Sequence, residues 1–82
     1  MCAVLNYNMD GWYAERMSTD GKLIHRNMYT GHDAKERATN AIASVVSSWE
    51  PRYGEVMFRV ARYEKQKLVE QSEPIRVGGQ NE

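Results

Sequence analysis

The feature that most constrains this fold is one amphipathic segment in the middle of the chain, from Asp33 to Glu50. Wound at about 100° per residue, its apolar side chains fall within an arc of about 140°, which is typical of a surface helix that packs against another layer. The members of this stripe are Ala34, Ala38, Ala41, Ile42, Val45, Val46 and Trp49. Because the flanking segments have strand-like patterns, the sequence predicts a helix that packs on a sheet.

Both ends of this helix have recognisable signals. Thr30 is the expected N-cap, and Asp33, three residues later, has capping-box spacing and places negative charge at the positive end of the helix dipole. Pro51 disfavours a helical conformation in the residue before it and has no backbone N–H to donate. The pattern therefore predicts that the helix ends at Glu50.

Two Asp-Gly pairs divide the region before the helix into short strands. Asp10-Gly11 and Asp20-Gly21 supply the positive φ of tight turns, so residues 3–8, 12–18 and 22–29 are predicted to be three strands of a meander. Tight turns of this kind connect neighbouring antiparallel strands.

After the helix, residues 55–63 alternate clearly between two faces. One face carries Val56, Phe58 and Val60, and the other carries Met57, Arg59, Ala61 and Tyr63. A charged turn at 64–67 leads to a fifth strand or edge at 68–71, which could continue through Ile75 and Val77, and Pro74 restricts it to an edge.

The order β-β-β-α-β-(β) predicts an α+β fold of two layers, with one helix packed on a mainly antiparallel sheet. Residues 1–77 are expected to form a single domain, and residues 78–82 a disordered tail. Since this chain has one helix, the reverse face of the sheet is expected to be solvated and free to contact another macromolecule.

Composition excludes several classes of function. The 82 residues include eleven basic and eleven acidic side chains, so no net charge favours general binding to polyanions. No apolar run approaches the roughly 20 residues of a membrane span, no leader segment opens the chain, and the single cysteine, Cys2, fits a reducing compartment. We expect a soluble protein of the bacterial cytoplasm without membrane contacts.

The reactive side chains of the sequence do not have the spacing of a catalytic or metal site, which predicts that the protein is not an enzyme. His25 and His32 have only Asp33 and Glu36 at ligand spacing, which is more typical of helix capping than of a metal site. The carboxylates do not form an acid–base pair, and the helix serines have no partner histidine. The glycines lack a phosphate-loop pattern. We therefore expect no metal, no cofactor and no catalytic residue.

Nucleic-acid binding is the alternative function. A β-β-β-α unit with aromatic and basic side chains on the meander resembles the three-stranded DNA readers of the AP2 and integrase arm-binding domains, which place the sheet in the major groove. Glu15 and Asp20 interrupt this face, however, and the net charge is zero. Few phosphates could be neutralised, so sequence-specific DNA binding ranks second.

A second resemblance covers roughly residues 11–77. It rests on 11–15 (GWYAE), 20–24 (DGKLI), 30–33 (TGHD) opening an alanine-rich helix that ends at Trp49, Tyr53, and 73–77 (EPIRV). This layout is similar to that of small phage-encoded anti-CRISPR proteins of the type I-F class. The resemblance implies a stoichiometric inhibitor that occludes a surface of a bacterial nuclease complex; other phage inhibitors of host machines fit equally well.

The function predicted from the sequence is thus a non-catalytic protein-binding module, a phage or mobile-element inhibitor whose partner is a host protein or ribonucleoprotein complex. Aromatic and arginine side chains are the usual hot spots of such surfaces. The predicted partner-binding residues are Trp12, Tyr13, Arg16, Lys22, Arg26, Arg59, Arg62 and Tyr63. Core positions for Trp12 and Tyr63 are an equal alternative, and homodimerisation through the bare sheet face or the edge of the first strand is a further one.

Overall fold

A computed structural model of the chain describes residues 8–78. It contains five strands, one α-helix and a short 3-10 turn. These are β1 (Gly11–Met17), β2 (Leu23–Tyr29), α1 (Ala34–Ser48), the 3-10 turn (Pro51–Tyr53), β3 (Val56–Glu64), β4 (Lys67–Gln71) and β5 (Ile75–Val77). The strand predicted at residues 3–8 and the predicted tail lie outside the described residues, except for Asn8 and Gly78.

The strands form one antiparallel sheet in the order β2-β1-β3-β4, and β5 pairs with β3 beside β4. Ala14 marks the centre of the sheet, since it lies opposite Asn27 of β2 and Val60 of β3. With α1 packed on one face, the molecule is a two-layer α+β fold, and this sequence prediction is confirmed.

The apolar stripe of α1 packs on the face of the sheet formed by the alternate residues of β1 and β3. The buried members of this core are Ala14, Ala38, Ile42, Phe58 and Val60. Trp49 packs at its edge, with its ring 5.5 Å from that of Phe58. The alternation predicted for residues 55–63 is therefore confirmed, because Phe58 and Val60 lie beneath the helix.

The helix boundaries differ from the prediction by a few residues. Asp33 occupies the N-cap position and makes no capping hydrogen bond with its side chain. Its Oδ1 instead accepts a hydrogen bond from Nε of Arg37 at 3.0 Å, and the carbonyl of Thr30 accepts from the same guanidinium. The predicted Thr30 cap is wrong, because side-chain pairing within the first turns replaces it. The helix ends at Ser48, since Trp49 is already extended.

The turns and the last strands follow the local sequence signals. Gly21 has φ +91 between β1 and β2, in a turn that Ser18 and Lys22 close through backbone hydrogen bonds. The segment after β3 forms two separate strands instead of one, because Pro74 interrupts the ladder between β4 and β5. None of the helices described in residues 8–78 is long and apolar enough to cross a membrane.

Candidate functional site

The reverse face of the sheet, opposite α1, is not the solvated surface that the sequence predicts. Tyr13, Ala61 and Tyr63 are buried there, and so are the charged side chains of Glu15 and Arg26. The two tyrosine rings meet edge to face at 5.2 Å. The expectation of a polar, free surface is therefore wrong for the centre of this face, because aromatic and charged side chains bury one another.

Four side chains of this face form what we call the Glu15 network, which consists of Glu15, Arg26, Arg59 and Tyr63. Nε of Arg59 donates to Oε1 of Glu15 at 2.6 Å, and the hydroxyl of Tyr63 donates to Oε2 at 2.9 Å. Nη1 of Arg26 lies 3.5 Å from Oε2 of the same carboxylate. Glu15 is 0% exposed, so its charge is compensated by these partners instead of by water.

Arg26 connects this network to the first described residues. Its guanidinium lies over the ring of Tyr13, 4.3 Å from the centroid, and its Nη1 donates to Oδ1 of Asn8 at 2.8 Å. The hydroxyl of Tyr13 donates to the carbonyl of Met9 at 2.9 Å. Asn8 and Met9 are thereby fixed against the reverse face, where they help to cover it.

The two buried tyrosines have perturbed acidities. Burial raises the pKa of Tyr13 above its usual value of 10.0, because the phenolate would lose its hydration. Burial also raises the pKa of Tyr63, and the hydrogen bond that its hydroxyl donates to Glu15 raises it further. Both side chains therefore stay neutral donors at physiological pH.

The Glu15 network is suited to holding strands together and not to proton transfer. Both carboxylate oxygens of Glu15 accept from arginine or tyrosine donors, and its side chain is closed to solvent. A general base needs a substrate proton within hydrogen-bond reach. Within residues 8–78 there is also no cluster of three or more His, Cys, Asp or Glu side chains able to hold a metal ion.

The eight residues predicted to bind a partner do not share one surface. Tyr13, Arg26, Arg59 and Tyr63 belong to the reverse face, where all but Arg59 are buried. Trp12, Arg16 and Arg62 alternate with them and lie on the side of α1, and Lys22 is exposed before β2. The buried three cannot present their side chains to a partner. A binding role for the other five stays a prediction.

The position of β2 at one end of the strand order was not predicted from the sequence. Val60 directs both its N–H and its carbonyl to Ser72, away from β1. Backbone groups alternate in direction along an antiparallel strand, so those of Ala14 point to Asn27, and those of Met28 point to the outer edge of β2. Among the described strands, none pairs with this edge.

The two edges of the sheet differ in how well they are protected against pairing. Natural edge strands are usually guarded by charges, prolines or very short length. The far edge has Lys67 and Glu70 in β4, and Pro74 before β5. Strand β2 is seven residues long, contains no Lys or Pro, and exposes Ile24 (41%) and Met28 (40%). Besides Arg26, whose side chain is buried on the reverse face, residues 23–29 carry exposed apolar side chains, and these are the signal by which the sequence could have indicated this strand.

A groove of about 240 Å³ lies between α1 and β2. Its floor is apolar and its rim is polar. The lining side chains include Arg16, His25, Asn27, Ala41, Ile42, Val45 and Phe58. A second cleft, of about 280 Å³, lies near the start of α1 and carries the opposing charges of Asp10, Arg62 and Glu64. The first groove adjoins the exposed side chains of β2, so this strand together with its groove is the candidate site.

No protein-family model, curated protein or solved structure matches this chain.

Proposed function

We propose that this protein is a non-catalytic protein-binding module whose contact surface includes the exposed side chains of β2. The observation that carries this proposal is the exposure of two large apolar side chains in this one strand, Ile24 (41%) and Met28 (40%). Methionine is enriched in protein–protein interfaces, and a partner that covers these side chains gains free energy by removing apolar surface from water.

The more specific form of the proposal is an inhibitor, encoded by a phage or mobile element, that acts in the bacterial cytoplasm. It would occlude a surface of a defence nuclease complex or another host machine, with a host protein or ribonucleoprotein complex as its partner. Its support is the resemblance of residues 11–77 to the type I-F anti-CRISPR layout. A stoichiometric inhibitor needs a binding surface and no catalytic group, and the exposed side chains of β2 are suited to the first requirement.

The charge distribution favours a protein partner over DNA. Seven of the eleven lysine and arginine side chains lie within ion-pair distance of a carboxylate, namely Arg26, Lys35, Arg37, Arg52, Arg59, Arg62 and Arg76. Affinity for DNA comes mainly from cations that replace the counterions of the phosphates. Cations already paired within the protein contribute less to this exchange.

The test is affinity capture of a stoichiometric partner from a bacterial lysate with the tagged full chain and three variants. Met28→Lys and Ile24→Lys each place a charge among the exposed apolar side chains of β2. Leu68→Lys is the matched control, because Leu68 is 39% exposed in the strand at the other edge of the sheet. Circular dichroism verifies the fold of each variant.

We expect the wild type and Leu68→Lys to recover the same partner, and Met28→Lys and Ile24→Lys to lose it. Recovery of the partner by both folded β2 variants at wild-type yield would overturn the proposal. Failure of the wild type to recover any stoichiometric protein would overturn it too.

A further inference from the structure

Beyond the proposed function, we infer that the groove between α1 and β2 is a binding site for a small aliphatic carboxylate. The apolar floor of the groove holds the hydrocarbon chain of the ligand, and the guanidinium of Arg16 binds its carboxylate. The site lies on the α1 side of the sheet, whereas Asn8 and Met9 lie against the reverse face.

The volume of the groove sets the size of its ligand. The groove measures about 240 Å³, which is less than the roughly 300–1,000 Å³ of sites for drug-sized ligands. His25 and Asn27 are exposed where β2 borders it, so the groove opens to solvent on this side. A ligand with a short carbon chain therefore fits.

The floor of the groove is apolar. Ala41, Ile42 and Val45 line it from α1, and Phe58 lines it from β3. Ala41 is half buried and has only a methyl group as its side chain, so α1 leaves space beside β2 that a larger side chain would fill. A branched hydrocarbon chain that leaves water for this floor gains roughly 25 cal/mol per Å² buried.

Positive charge lies at one end of the groove. Arg16 is half buried with its Cζ 5.9 Å from the centroid of the Trp49 ring, and no carboxylate in residues 8–78 lies within ion-pair distance of its guanidinium. Glu15 also lines the groove, but its carboxylate accepts from Arg59 and Tyr63 on the reverse face. An anionic ligand would therefore complement the charge of Arg16.

Two further hydrogen-bond donors border the groove from β2. His25 is the direct cross-strand partner of Arg16, and Asn27 lies on the same face, opposite Ala14. An imidazole has at least one N–H in either protonation state, and an amide has two. A carboxylate at this end can thus accept from Arg16 and His25 while its chain extends over the apolar floor. Because hydrogen bonds to a charged acceptor are stronger, the site selects a carboxylate over a neutral amide of the same shape.

Titrations of the isotopically labelled full chain, followed through its amide chemical shifts by NMR, measure this binding. The probe is isovalerate, which combines a branched hydrocarbon chain with a carboxylate. Isovaleramide has the same shape without the charge, and acetate has the charge without the branched chain. We expect isovalerate to bind about 10-fold more tightly than either compound, because each of them lacks one of the two contacts.

Two variants assign the binding to the groove. Arg16→Gln should abolish the preference for isovalerate over isovaleramide, and Ala41→Phe should abolish isovalerate binding by filling the space above the floor. The matched controls are Arg76→Gln and Ala43→Phe, since Arg76 is exposed in β5 and Ala43 is exposed on α1, both outside the groove. Both controls should bind isovalerate as the wild type does. The dispersion of the amide signals verifies the fold of each variant.

Equal binding of isovalerate and isovaleramide, or no binding of isovalerate, would overturn the inference. An unchanged preference in a folded Arg16→Gln variant would overturn it too, and this result decides the question even where Ala41→Phe does not fold. If a tripeptide that ends in valine binds at least about 10-fold more tightly than isovalerate, the occupant is the carboxyl terminus of a partner and the small-molecule assignment is wrong. Ile24 and Met28 do not line the groove, so the lysate test of the proposed function gives a separate answer.

Discussion

Glu15 and Arg59 lie directly opposite each other in neighbouring strands, joined by a 2.6 Å hydrogen bond from Nε to Oε1 on the reverse face of the sheet. Arg26 is the partner of Glu15 on the other side, in β2. One carboxylate therefore lies between two arginines across three strands. A register shift of one residue would move it to the face beneath α1, so this charge arrangement favours one register of the sheet.

Glu15→Gln is expected to destabilise the protein strongly. The substitution keeps the shape of the side chain but removes the buried carboxylate charge to which Arg26 and Arg59 are paired. Breaking a buried pair in this way costs about 3–5 kcal/mol. Urea denaturation followed by Trp fluorescence measures the loss. Glu73→Gln, at an exposed position between β4 and β5, is the control and should change stability by less than about 0.5 kcal/mol.

Alkaline pH should unfold the protein through its buried tyrosines. The pKa of Tyr63 is raised in the folded state above its unfolded value of 10.0, mainly by burial, so its contribution to stability is complete below pH 10. That contribution is lost as the pH rises through the folded pKa. The same direction holds for Tyr13. The free energy of unfolding should therefore decrease above about pH 10.

Tyrosinate absorbance measured during an alkaline titration tests this directly. Tyr63→Phe keeps the ring packing and removes the hydroxyl that donates to Glu15. It should remove one late-titrating component and cost about 1–3 kcal/mol, because an acceptor in a buried network loses its donor. An unchanged late component in this variant would show that Tyr63 is not the group responsible.

Ile42→Ala should reveal how much of the stability comes from packing beneath α1. Ile42 is 5% exposed in the core formed with Phe58 and Val60. Truncating a buried isoleucine removes apolar contacts and leaves a cavity, at a cost of about 2–5 kcal/mol. Thermal and urea unfolding measure this. The same change at Ile24, which lies at the exposed edge of β2, should cost less than about 1 kcal/mol.

Duplex DNA should bind weakly or not at all, even at about 50 mM salt, where phosphate contacts are strongest. The physical reason is that most cations of this chain are already paired, among them Arg59 with Glu15 and Arg62 with Glu70. Anisotropy of a labelled duplex across a salt series is the measurement. An affinity that falls steeply with the logarithm of salt concentration would instead support the integrase-like alternative.

The elements of this fold could be predicted from the sequence because their signals are local. The spacing of Ala34, Ala38 and Ile42 specifies a helix face, Gly21 allows the positive φ of a tight turn, and the alternation around Phe58 specifies a strand. Each signal depends on backbone geometry within a few residues. The α+β class follows from the order of these elements.

Tertiary structure alone decided which charged side chains are buried and which of the described strands lies at the end of the strand order. The alternating pattern of β1 is compatible with either an exposed or a buried Glu15. Only the positions of Arg26 and Arg59 in the neighbouring strands make burial of the Glu15 carboxylate favourable. Likewise, β2 is recognisable as a strand from its residues, but its position at the edge depends on the pairing order. Charge compensation and edge exposure are properties of residues far apart in sequence, so no local pattern encodes them.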